Sequence, residues 1–165
     1  MKYSLVIILA FGILAGCDQS SATDAANVAV VEKYIQAVES EDYEIMASLL
    51  DEDYLGLGPS VYDSIGKTMA LKNWQENIAN LYEKIEYQRS QLAPVTITSG
   101  DNRGAWVANW AQLQITYKDD RGSVIIWANT NYKVENNKIV KSYTFYNEAD
   151  VLRQLGYVFI NPNDL

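Results

Sequence analysis

The stretch "NNKIVKSYTFYNEADVLRQLG" (residues 136–156) decides how the rest of the chain is read. Asn136-Asn137 suits the positive φ angles of a two-residue type I′ turn, and apolar-polar alternation on both sides makes it the tip of a β-hairpin. Working upstream, Ser123 to Val134 and Trp106 to Tyr117 flank Asp119-Asp120-Arg121-Gly122, a second hairpin turn. Ile85 to Thr98 is a further strand; Pro94 lacks an N–H, which places it on an edge or at a bulge. Further upstream the period changes. Leu71, Trp74, Ile78 and Leu81 mark one face of a helix from about Lys67 to Glu83. Tyr54 to Leu57 reads as a short strand ended by Gly58-Pro59. A short helix follows Asp42 and buries Ile45, Met46, Leu49 and Leu50. Val28, Val31, Tyr34, Ile35 and Val38 recur at helical spacing, with Thr23 or Asp24 available as a cap. Helices followed by an antiparallel meander make an α+β fold.

Turn positions sort the strand side chains. A loop centred on Asp120-Arg121 pairs Asn109 with Tyr132, and the Asn136-Asn137 turn pairs Thr130 with Tyr143 and Ile126 with Asn147. One sheet face then carries Val107, Asn109, Ala111, Leu113, Ile126, Ala128, Thr130, Tyr132, Tyr143, Phe145 and Asn147, and suits a concave surface lining a core and a pocket. The other carries Trp106, Trp110 and Trp127 with several amides, the kind of patch that monomers rarely expose.

The front end specifies a location. Met1-Lys2-Tyr3 is a short positive segment and Ser4 to Leu14 an apolar run of secretory-signal length, too short to span a bilayer comfortably. Cys17 is the only cysteine and the chain has no histidine, so it has no disulfide partner within the chain and no imidazole base to activate it. Leu14-Ala15-Gly16-Cys17 resembles the lipobox of bacterial lipoproteins, which implies cleavage before Cys17 and a lipid on its sulfur. The organisation expected is a signal peptide over 1–16, a lipidated cysteine and polar tether over 17–27, and one domain over 28–165. Ten extended tether residues would reach roughly 35 Å. Asp18 resembles an inner-membrane retention signal, and the domain would face the periplasm in the cell envelope.

Composition narrows the partners. The net charge is −8, and no basic cluster offers a nucleic acid its phosphate contacts or anionic lipid a second hold. Twelve tyrosines and four tryptophans point to half-wet surfaces, meaning pockets and interfaces.

Over residues 27–157 the chain resembles the nuclear transport factor 2-like superfamily, in its SnoaL-like and ketosteroid isomerase-like branch. The resemblance is carried by residues 31–37 followed by Asp42, by Asp51-Glu52-Asp53-Tyr54, by Gly66, and above all by the closing strand and Gln154-Leu155-Gly156. It implies a curved sheet wrapped around N-terminal helices into a cone with one pocket, and dimerisation through the outer sheet face that holds Trp106, Trp110 and Trp127. It also implies a pocket carboxylate in catalytic members, commonly seven residues before the glutamine of Gln-Leu-Gly. Here that position is Asn147, and an amide cannot act as the base.

The expected pocket comprises Tyr34, Tyr54, Trp74, Asn109, Tyr132, Tyr143 and Asn147. Three functions stay open. One is a membrane-held binder of a small, fairly apolar or aromatic ligand. The second is an isomerase, dehydratase or hydrolase using Asp53, Asp63 or Glu148. The third is a protein-interaction module, and no reading calls for a metal or cofactor.

Overall fold

The computed structural model describes residues 16–164, with side chains described for 21–163; the expected signal peptide, but for its last residue Gly16, lies outside the described residues, as does the side chain of Cys17. Among the described residues four α-helices and six strands follow in the order α1 (Gly16–Glu39), α2 (Tyr43–Leu49), β1 (Leu50–Leu57), β2 (Ser64–Gly66), α3 (Lys67–Asn80), β3 (Tyr82–Ile97), β4 (Gly104–Tyr117), β5 (Ser123–Glu135), β6 (Lys138–Tyr146) and α4 (Glu148–Gln154), with a 3-10 turn at Pro162–Asp164. The strands form one sheet in the order β2-β1-β6-β5-β4-β3, antiparallel throughout except for the β1–β6 pair. The expected α+β architecture holds, with the helices packed on one sheet face.

The helix faces follow the spacing. Val31, Tyr34, Ile35 and Val38 of α1 are buried against Met46, Leu49 and Leu50 and against Val107, Tyr132 and Ile139 of the sheet. Asp42 caps α2 by accepting the Ile45 N–H at 2.9 Å. Two helix limits differ from the sequence reading. Thr23 and Asp24 lie inside α1, because the alanine-rich stretch before Val28 contains no glycine or proline to stop a helix. The segment 17–27 is therefore helical and spans about 15 Å rather than the extended reach. Helix α3 ends at Asn80, three residues early. Its last carbonyls are met from the β4–β5 turn, where Lys118 Nζ donates to Ala79 O and Arg121 Nη2 to Asn80 O.

Pro94 does lie on an edge strand, since β3 ends the sheet. That long strand bends at a bulge between Gln88 and Gln91, where Arg89 has φ 48°. Asn109 holds the bulge, donating from Nδ2 to Ser90 Oγ at 2.7 Å and to Gln91 O at 3.3 Å. Glu39, at the end of α1, accepts the Tyr87 N–H at 2.7 Å and fixes the same bend to the helix layer.

Both hairpin registers depart from expectation. The β4–β5 turn centres on Asp119-Asp120, both at positive φ, so Asn109 pairs with Thr130 and Val107 with Tyr132. That shift is two residues and leaves every side chain on its expected face. The Asn136-Asn137 turn forms as read, with φ of 52° and 60°. Beyond it, however, Val134 pairs with Ile139 while Lys133 pairs with Lys141, leaving Val140 as an extra residue in β6. The slip is one residue and turns β6 over. Ser142, Thr144 and Tyr146 face the concavity, and Tyr143 and Phe145 face outward.

Candidate functional site

A cavity of about 860 Å³ opens between the helices and the concave sheet face. Its walls alternate in origin as strand geometry requires. β3 gives Ile85 and Tyr87, β4 gives Asn109, Leu113, Ile115 and Tyr117, and β5 gives Ile126, Ala128, Thr130 and Tyr132. Ser142, Thr144 and Tyr146 come from β6, Tyr34 from α1, Tyr54 from β1 and Trp74 from α3. Helix α4 and the residues after it complete the wall with Val151, Leu152, Leu155 and Tyr157.

Tyrosines dominate in two groups. Tyr34, Tyr54, Tyr87 and Tyr132 gather around Trp74 beneath α1 and α3; the Tyr34 and Tyr132 rings meet edge-to-face, centroids 6.0 Å apart at 63°. Tyr82, Tyr117 and Tyr146 gather nearer the Glu148 end, with Tyr82 edge-on to Tyr117 at 5.3 Å. Burial holds the hydroxyls of the first group protonated. It pushes Tyr34 and Tyr132 well above the usual phenol range, each raised further by its neighbouring tyrosines. Burial, then the charge of Glu39, lifts Tyr87 to about 12. Burial also raises Tyr54, partly offset by its 2.7 Å hydrogen bond with Ser142 Oγ. At neutral pH the interior is polar in places yet uncharged.

Among the described residues the carboxylates lining the cavity are Asp120 and Glu148, both solvent-exposed, and Arg121 lies beside them.

The structure brings together five of the seven expected pocket residues: Tyr34, Tyr54, Trp74, Asn109 and Tyr132. It places two elsewhere. Tyr143 stands on the outer sheet face, stacked between Trp106 and Phe145 in a groove of about 310 Å³. Asn147 is the N-cap of α4, its Oδ1 accepting the Asp150 N–H at 3.1 Å. The Val140 bulge explains both departures. Of the three candidate carboxylates, Glu148 borders the cavity. Asp53 is exposed, alternating away from the inward Tyr54, and its own N–H is taken by Asp51 Oδ1 at 3.0 Å. Asp63 is an exposed loop acid whose Oδ2 accepts the Ser60 N–H at 3.3 Å.

On the outer face Trp110 and Trp127 are 48% and 62% exposed, but Trp106 is only 4% exposed. The turn after β3 covers it, and its indole N–H donates to Asn102 O at 2.7 Å.

The sequence reading missed Tyr82, Tyr87, Tyr117 and Tyr146 as cavity residues. Tyr87 stands two residues from buried Ile85, a spacing that marks one face of a strand. Helix α4 was also missed. Its Gln154 side chain pairs with the β5 backbone like a strand neighbour, accepting Ile125 N–H and donating to Ile125 O, each at 2.9 Å.

No family model matches the sequence, and no curated protein matches it. Solved structures do match in fold. A polyketide cyclase candidate from Xanthomonas campestris pv. campestris superposes with a TM-score of 0.65 at 13% identity, covering 80% of this chain and 98% of that one. An LEH-like epoxide hydrolase of M. tuberculosis gives 0.62 at 12% identity, covering 81% and 86%. A protein of ketosteroid isomerase-like fold from Catenulispora acidiphila, determined in complex with trimethylamine, gives 0.58 at 15% identity, covering 78% and 93%. The chain thus has the nuclear transport factor 2-like cone fold in its SnoaL-like, ketosteroid isomerase-like form. Folds of this kind host both enzymes and binders, so the site has to decide the function.

Proposed function

We propose that this protein is a lipid-anchored binder of the bacterial cell envelope, whose cavity holds a small, fairly apolar ligand without turning it over. One observation carries the reading: the large cavity is walled by aromatic, aliphatic and neutral polar groups, and carboxylates reach it only at its exposed edge. Cavities of this size and lining accommodate small organic molecules, with a few polar groups fixing orientation. The trimethylamine complex of the Catenulispora acidiphila protein supports a small-molecule role for the fold. The lipobox-like Leu14-Ala15-Gly16-Cys17 supports the anchor, Asp18 supports the inner membrane, and exposed Trp110 and Trp127 support a homodimer.

Mass spectrometry of the full chain, purified in a maltoside detergent and then denatured, tests the binding role. A retained organic molecule at near-equal molar amount is the expected result. An enzyme of the isomerase, dehydratase or hydrolase type is the second reading, favoured by Glu148 beside the cavity. Turnover of a test substrate that Glu148→Gln abolishes would establish it and end the first. For the anchor, Cys17→Ser should abolish labelling by radioactive palmitate in growing cells; unchanged labelling would refute lipidation there.

A further inference from the structure

The charges around the cavity are unevenly placed. Its interior has none, while Asp120 and Glu148 stand at its edge and Asp63 lies near enough for its charge to act on Tyr146. Arg121 is the one cation lining the cavity among the described residues; its guanidinium donates to Lys118 O, Asn80 O and Asp119 Oδ2, and its charge reaches Tyr117 at the cavity edge but not the Tyr34–Tyr132 corner. With a net charge of −8 on the whole chain, the field at the opening draws cations and repels anions.

Inside, the first tyrosine group supplies what a cation of one particular kind needs. Tyr34 and Tyr132 form two walls of a corner, since their rings meet at 63°, and Trp74 lines the same part of the cavity. Several π faces around one space, with no lysine among the described lining residues and Arg121 on the Tyr117 side, hold alkylated ammonium groups well. A bare primary ammonium would lose more hydration than these neutral groups return, and an anion would be buried with phenol hydroxyls but without a cation to neutralise it. Leu113, Ile126 and Val151 offer an apolar body room toward the edge.

We propose that the cavity selects an organic cation, a tertiary or quaternary alkylammonium compound, with its nitrogen against Tyr34, Tyr132 and Trp74 and its apolar part along Leu113 and Ile126. This rests on the ligand-binding reading above and names the class of ligand.

Calorimetric titration of the full chain in maltoside tests it with choline, its uncharged carbon isostere 3,3-dimethylbutan-1-ol, and the anion 3,3-dimethylbutanoate. Choline should bind about tenfold or more tightly than the isostere, with no detectable heat from the anion. Tyr132→Phe keeps the ring and should keep the preference, whereas Tyr132→Leu should remove it. Because Tyr132→Leu removes a buried ring and can unfold the chain, the selectivity of the unaltered protein is the deciding measurement. Equal affinity for choline and the isostere overturns the inference and leaves an apolar pocket standing. Loss of choline binding in a folded Tyr132→Phe also overturns it, since the hydroxyl rather than the ring would then be the recognition group. If neither compound binds, the inference falls. The ligand-binding reading falls with it only when mass spectrometry also finds nothing retained.

Discussion

Asn147 shows how much a single residue's meaning depends on its neighbours. By the resemblance it stands where related enzymes commonly keep an aspartate, and an uninterrupted hairpin would turn it toward the cavity. The extra residue Val140 removes it from that role, and its side chain closes the first turn of α4 instead. Either amide or carboxylate oxygen can accept that N–H, so the position tolerates both chemistries for a structural reason. Asn147→Ala should cost about 1 kcal/mol of stability in urea unfolding, the usual loss of a helix N-cap. Asn147→Asp should cost little, and neither change should alter ligand affinity. A folded Asn147→Ala whose affinity drops tenfold would return Asn147 to the site.

At the scale of elements, what the sequence made legible is what repeats. The α1 face recurs every three or four residues and the strands alternate, so Val31, Tyr34, Ile35 and Tyr132 are buried as their spacing predicts. A bulge does not repeat. Val140 is a valine between Ile139 and Lys141 in an ordinary strand sequence, and nothing in its identity says that it lacks a partner across the ladder. Tyr143 therefore lies on the face opposite to the one its alternation predicts, whereas the two-residue slip in the β4–β5 hairpin preserves parity and keeps its side chains on the predicted faces. Trp106 departs differently: it lies on the outward strand face as read, but the turn at Asn102, four residues upstream, folds back over it and the Tyr143 ring of β6 stacks on it. The outer sheet face that remains open has Trp110, Trp127 and Phe145, the last 53% exposed. A second copy of the chain would shield these rings from water. Sedimentation of the detergent-solubilised chain should therefore show a dimer, converted to monomer by Trp110→Glu or Trp127→Glu. A monomer at high concentration of the unaltered chain would defeat the idea, while Trp106→Glu should unfold the edge rather than merely separate two copies.

The molecule as a whole is acidic outside and phenolic inside, and this couples folding to alkaline pH. Tyr34, Tyr54, Tyr87 and Tyr132 all have hydroxyls whose ionisation burial opposes, so each has a higher pKa folded than unfolded. In the unfolded chain a tyrosine ionises near pH 10. Between that value and the folded values, about 12 for Tyr87, the folded state binds more protons than the unfolded state. Stability therefore falls as pH rises through this window, and the contribution is fully present below it. Urea unfolding at pH 8, 10 and 11.5 should show midpoints dropping most steeply above pH 10, with phenolate absorbance of the buried group appearing together with unfolding. Other groups also titrate there, so the variant comparison isolates the cavity. Tyr87→Phe keeps most of the ring contacts but removes one of these ionisations, and should make the loss between pH 10 and 11.5 shallower than in the unaltered chain. An identical pH slope in Tyr87→Phe, or full ionisation near pH 10 by a chain that stays folded, would mean that burial does not hold these hydroxyls above the usual phenol range.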